Sequence, residues 1–190
     1  EIGREAGGSI AGVAVGIVAD NKDPQGLGRL RLSLPWRSEG FLTDWVRVVA
    51  PMGGKDRGAY FLPEKGDEVL VAFDRDDIRY PYVLGALWSG ADKPPEPNSN
   101  GKNDIRIIKS RKGHMLRFDD SQSKGAITIE LNDGKKVEID DDGIRITDKK
   151  SKIEISSKSG DIAVEASATL TLKAPRITID ASGQLDLKGG

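Results

Sequence analysis

Along 105–190, apolar and polar residues alternate in runs of three to five, each run ending in a polar turn before the next begins. The pattern predicts strands over 105–108, 114–118, 126–131, 137–140, 144–147, 153–156, 162–165, 170–173, 177–180 and 185–187. From Ile129 the central apolar residues are Val137, Ile146, Ile155, Val164, Leu172, Ile179 and Leu187, seven to nine residues apart. Such a step holds one strand and one bend but no helix, which is the signature of a β-helix or solenoid. In Lys152-Ile153-Glu154-Ile155-Ser156 the isoleucines share one face and the charges the other. Two apolar residues per strand cannot stabilise a strand alone, so stacking is required. At about 4.8 Å per unit, ten units would make a rod of roughly 45–50 Å. The stretch 127–140 also fits an ordinary hairpin, because Asn132-Asp133-Gly134 is a strong hairpin signal. From Ile144 onward the helix is the expectation.

The first half has a different texture. A strand over 13–19 leads into Asp20-Asn21-Lys22-Asp23-Pro24, and Leu30, Leu32 and Leu34 then alternate with Arg29, Arg31 and Ser33 up to Pro35. Further strands fall at 45–49, 68–73 and 82–87, separated by Gly53-Gly54 and Lys65-Gly66-Asp67. Five strands in so short a stretch, without a helical run, predict a small barrel of OB type. All three Trp, all three Tyr and three of four Phe lie in this half. Pro94, Pro95, Pro97, Asn98, Asn100 and Gly101 mark a connector that cannot hold regular structure. The organisation is therefore a linker over 1–9, a barrel over 10–90, a connector over 91–104 and a repeat region over 105–190.

Composition narrows the function classes. With 29 basic and 30 acidic residues the formal net charge is −1, so no global field recruits nucleic acid or an anionic membrane. The absence of cysteine excludes disulfides, thiolate nucleophiles and Cys-based zinc sites. No apolar run approaches the roughly 20 residues that span a bilayer. The start, without Met or an apolar leader stretch and opening into Gly7-Gly8-Ser9, reads as an excerpt of a longer protein.

Four blocks carry a resemblance. They are Gly16-Ile17-Val18-Ala19-Asp20-Asn21-Lys22-Asp23-Pro24-Gln25-Gly26-Leu27-Gly28-Arg29-Leu30-Arg31-Leu32 with Leu34-Pro35-Trp36, and Leu62-Pro63-Glu64-Lys65-Gly66-Asp67-Glu68-Val69-Leu70-Val71-Ala72-Phe73. The others are Tyr80-Pro81-Tyr82-Val83-Leu84-Gly85-Ala86-Leu87-Trp88 and Ser110-Arg111-Lys112-Gly113-His114-Met115-Leu116-Arg117-Phe118-Asp119-Asp120. In this order they resemble the VgrG spike proteins of type VI secretion and the baseplate spikes of contractile phage tails. The resemblance implies an all-β chain, an OB barrel followed by a β-helix wound as an intertwined trimeric prism. It implies a homotrimer that pierces a target envelope, with a PAAR-repeat tip protein at its C-terminal end and a baseplate hub or inner tube at its N-terminal side. It further implies assembly in the bacterial cytoplasm, delivery outside the cell and transient contact with the target membrane. The family's hub domains are missing from these residues, and the connector is too short for the hydrolase insertion of some phage relatives.

On this reading no catalytic, cofactor or metal residues are expected. Ile146, Ile155, Val164, Leu172 and Ile179 form the shaft core, and Leu185, Leu187, Gly189 and Gly190 form a docking end for the tip protein. His114 is the only histidine and reads as structural; with none after it, a His-based metal site at the tip is excluded. The groups Asp74/Asp76/Asp77, Asp119/Asp120 and Asp140/Asp141/Asp142 miss the EF-hand spacing and read as turn residues and solvated charge. Arg29, Arg31, Arg37, Lys55 and Arg57 with Trp36 and Trp45 could form an OB-type nucleic-acid face. Asp20, Asp23, Glu39, Asp44 and Asp56 break up that patch, and no nucleic acid is expected. Two rivals remain. One is an OB-fold binding module with a tail-fibre-like carbohydrate-binding or depolymerase shaft; the other is a monomeric β-helix with three strands per coil.

Overall fold

The computed structural model describes residues 12–123 and 125–189. The chain divides into two compact units between Pro94 and Pro95.

In the first unit, β1 (Val13–Asp20), β2 (Arg31–Ser33), β3 (Arg47–Val48), β6 (Glu68–Phe73) and β7 (Pro81–Ala86) form one sheet in the order β2-β1-β6-β7-β3. All its pairings are antiparallel except β3 with β7. Bridges from Leu30 to Val46 and from Ser33 to Leu42 join the two ends, so the sheet curls back on itself as an OB barrel requires. The interior follows from period-two alternation. Val69, Val71 and Phe73 of β6 point inward with Val18, Leu30, Leu32, Leu34, Val46 and Val83, all buried. Gly16 packs closely here: a Cβ would come within 3.2 Å of the Val71 side chain and 3.3 Å of that of Leu34, which would have to give way. The Gly53-Gly54 punctuation is itself structured: β4 (Gly53–Gly54) and β5 (Arg57–Gly58) pair as a small hairpin.

One loop of the barrel is built on a single carboxylate. Asp23 accepts hydrogen bonds from the backbone N–H groups of Gln25 (3.0 Å), Leu27 (3.0 Å) and Arg29 (3.3 Å). The Arg29 guanidinium grips the same carboxylate in bidentate fashion, both contacts 2.8 Å. Arg29 first, and then the backbone donors, hold the Asp23 carboxyl far below the usual carboxylate range. A depressed folded-state pKa stabilises the fold above the unfolded value, and that contribution is lost as pH falls through the folded one. Asp23→Asn should therefore lower the barrel's thermal midpoint by several degrees at neutral pH, with the difference narrowing below about pH 4. Intrinsic Trp fluorescence isolates the barrel, because no Trp lies after Trp88. An unchanged midpoint at neutral pH would mean that the loop does not depend on Asp23.

The second unit contains β8 (Ile105–Lys109), β9 (Met115–Asp119), β10 (Ala126–Glu130), β11 (Lys136–Asp140), β12 (Gly143–Thr147), β13 (Ser151–Ser156) and β14 (Ile162–Ala166). They pair with their chain neighbours in strict order, each pair antiparallel. The all-β class and the barrel-first order agree with the sequence. The hairpin alternative for 127–140 is the one adopted, with Ile127 opposite Ile139 and Ile129 opposite Val137.

Two expectations are corrected. From Ile144 to Ala166 one chain forms a meander, not a coil, because turns of this length return the chain antiparallel to the strand just left. This removes the monomeric β-helix. The predicted strands at 170–173, 177–180 and 185–187 are absent, although their sequence alternates as the others do. Among the described residues no strand pairs with that stretch, and two apolar residues cannot hold an unpaired strand.

Candidate functional site

The register of the meander sorts its side chains. Directly opposed residues share a face, so one row runs Leu116, Ile129, Val137, Ile146, Ile153, Val164 across β9 to β14. A second runs Phe118, Ile127, Ile139, Ile144, Ile155, Ile162. Both rows lie on the same face. On β10 to β14 nine of these side chains are between 38 and 70 % exposed. An open groove of about 530 Å³ follows the first row past Ile129, Val137, Ile146, Ile153 and Val164.

The opposite face is polar and better covered. Arg145 faces Glu138 across the β11–β12 ladder at 2.7 Å and also pairs with Asp140. Lys136 reaches Glu138 at 2.7 Å, and Lys152 reaches Glu165 at 3.0 Å and Glu154 at 3.4 Å. Lys136 and then Arg145 push the Glu138 carboxyl below its ordinary range, and Arg145 does the same to Asp140. Thr128, opposite both Arg117 and Glu138, is buried beneath this layer. Burial is thus inverted: the charged face is lidded by its own ion pairs while the apolar face stands bare.

The expected site residues divide accordingly. Ile146 and Val164 sit in the first row and Ile155 in the second, all on the bare face. Leu172, Ile179, Leu185 and Leu187 lie in the strandless stretch and are more than half exposed. Gly189 lies there too, and Gly190 falls outside the described residues. The structure does not bring this second group together with the first.

The remaining candidates have structural roles. The Asn132 amide N–H donates to His114 Nδ1 (3.3 Å), tying the β8–β9 turn to the β10–β11 turn. Asp77 is held by Arg79, Asp119 by Arg117, Asp120 by Arg106, Asp140 by Arg145 and Asp142 by Lys158. Among the described residues no three His, Asp or Glu side chains converge as a metal cage would require. Of the basic and aromatic set, Arg29 is locked onto Asp23, and Trp36 donates its Nε1–H to the Val15 carbonyl (2.9 Å) with its ring edge against Phe73. Arg31 donates to the Thr43 carbonyl (3.2 Å). What sequence reasoning missed is the Asp23 loop, read as a plain turn, and the β4–β5 hairpin, read as a spacer.

The first unit is thus a curled OB-type sheet, and the second a meander with one bare apolar face. Residues 14–88 match the type VI secretion system/phage-baseplate injector OB domain, and residues 105–186 match the phage baseplate V C-terminal trimerisation domain. The first half of the chain therefore belongs with the injector OB domains and the second half with the baseplate trimerisation domains. It is 31 % identical over 106 residues to the type VI secretion system spike protein VgrG2a of Pseudomonas aeruginosa, covering 51 % of this chain and 12 % of the relative. VgrG5 of the same organism is 31 % identical over 111 residues (48 % and 14 %), and VgrG1b is 24 % identical over 126 (60 % and 17 %). The chain thus spans less than a fifth of the length of these relatives.

Proposed function

We propose that this chain is the barrel and shaft segment of the central spike of a contractile injection machine, and that it works as a homotrimer. The carrying observation is the bare apolar face beside a lidded polar one. Three meanders facing a common axis would bury both rows and leave the ion-paired faces outside. Ile146, Ile155 and Val164 then belong to the shaft interior, and Leu172 and Ile179 join it as the chain's final segments pair with neighbouring copies.

Magnitudes favour this. Burying a half-exposed Ile or Leu contributes about 1 kcal/mol. Nine such residues on β10–β14 and six more from Leu170 to Leu187 give on the order of 15 kcal/mol per chain. Association costs about 4–15 kcal/mol in lost freedom, a cost that burial on this scale offsets.

Function follows from stiffness. In a ladder that runs through three chains, axial load is shared by many backbone hydrogen bonds, so the shaft transmits the thrust of the contracting sheath to a target envelope. The end near Leu185 and Leu187 presents unpaired backbone and apolar side chains, the chemistry that a PAAR-repeat cap would cover. A hub or inner tube would seat the N-terminal side. Assembly in the cytoplasm and release from the cell with the particle complete the reading.

Multi-angle light scattering should give three times the 20.5 kDa of one chain at micromolar concentration. A stable monomer there would sink the proposal.

A further inference from the structure

The barrel carries a second feature, separate from the assembly face. A cleft of about 430 Å³ opens between the segment before β3 and the start of β7. Its walls hold three guanidinium groups, those of Arg37, Arg47 and Arg79, and among the described residues its only carboxylate is that of Asp44. Each arginine is laid on an aromatic ring. Arg37 lies 4.0 Å from the Phe41 centroid, Arg47 4.9 Å from that of Tyr82 and Arg79 5.7 Å from that of Tyr80. Stacking fixes the planar fork and spares it the entropy of being ordered later.

Arg79 and Arg47 differ in what they have left to give. Arg79 is held by Asp77 through contacts of 2.5 to 3.1 Å. Arg47 donates through Nη2 to the Tyr82 hydroxyl (2.8 Å), and among the described residues no carboxylate pairs with it. Its other N–H donors remain for a ligand. Exposed Leu42 and Tyr80 supply an apolar rim beside it. Arginine and tyrosine beside exposed apolar side chains are the composition of a protein-binding hot spot.

We infer that this cleft binds an acidic peptide segment of a partner protein, with a Glu or Asp carboxylate on Arg47 and a neighbouring apolar side chain against Leu42 and Tyr80. Charge complementarity selects a carboxylate, and the Arg47 fork matches one in bidentate geometry. A nucleic-acid strand fits less well. It needs a continuous basic track of phosphate contacts, whereas this cleft is short, holds Asp44 in its wall and has Arg79 already paired with Asp77.

The test uses the full chain and a short fluorescent peptide of Glu, Ala and Leu, followed by anisotropy at low salt. Its Gln counterpart and a single-stranded oligonucleotide serve as competitors. The Glu peptide should bind, the Gln peptide about tenfold more weakly, and Arg47→Ala should weaken the Glu peptide about tenfold. Unchanged Trp fluorescence melting of Arg47→Ala ensures that the barrel is intact. No binding, equal binding of the Glu and Gln peptides, or indifference to Arg47→Ala overturns the inference. So does displacement of the peptide by tighter oligonucleotide binding. A mass above the trimer that falls back in Arg47→Ala also overturns it, because another copy of the chain would then fill the cleft.

Discussion

Ile155→Asp should abolish assembly of the shaft. Ile155 lies in the second apolar row, flanked across the ladders by Ile144 and Ile162. In a trimer the substitution places three carboxylates around one axis with no cation within the rows to meet them. Burying like charges without partners costs several kcal/mol per assembly, and each charge also forfeits the apolar contact it replaces. The expected readings are a light-scattering mass at or near one chain and loss of the cooperative circular dichroism transition. Ile155→Val, which keeps the apolar surface, should remain trimeric with a slightly lower midpoint. A wild-type mass and midpoint for Ile155→Asp would remove Ile155 from the interior.

Gly143→Ala should be nearly as damaging for a different reason. Gly143 opens β12 with φ at +147°, a backbone conformation that side-chain-bearing residues rarely adopt. A Cβ built there would lie 1.9 Å from the Ile155 carbonyl oxygen, a backbone atom of the paired strand that cannot swing aside. The β12–β13 ladder must therefore open at Gly143 and Ser156, the pair at that end. Loss of ladder hydrogen bonds together with backbone strain should cost about 3 kcal/mol or more per chain. Thermal unfolding followed at the strand band, with light scattering beside it, would report a midpoint lower by ten degrees or more (about 4–8 degrees per kcal/mol for a small domain). A melting curve that superimposes on the wild type would show that the turn has another way to close. Gly134→Ala is a useful contrast, since its φ of +88° carries strain but its Cβ would meet nothing within 4 Å.

Period two was the most readable signal in this chain. It set Leu30, Leu32 and Leu34 apart from Arg29, Arg31 and Ser33, and it put Ile153 and Ile155 on one face with Lys152 and Glu154 on the other. It could not say what each face would meet. A strand's pattern reports which side is apolar, whereas its ladder partner depends on chain return, and among the described residues the alternation in 170–187 has no ladder partner. Asn132-Asp133-Gly134 did encode its own return, because a short turn with Gly134 at positive φ closes a hairpin locally. Asp23 and Arg47 were opaque for another reason. In sequence an aspartate in a turn and an arginine in a strand both read as solvated charge. Only in three dimensions does Asp23 gather backbone donors from its own loop, and only there does Arg47 lie over Tyr82 from a distant strand.

The strict neighbour-to-neighbour pairing of β8 through β14 has a kinetic consequence. Every ladder in the meander joins strands separated by one short turn, so contact order is low and loop-closure entropy is small at each step. Hairpins of this kind zip in about 1–10 μs, long before three dilute chains meet. For the proposed trimer, encounter between chains is then the slow event, and the rate at which shafts appear should scale with chain concentration, not with the speed of strand pairing.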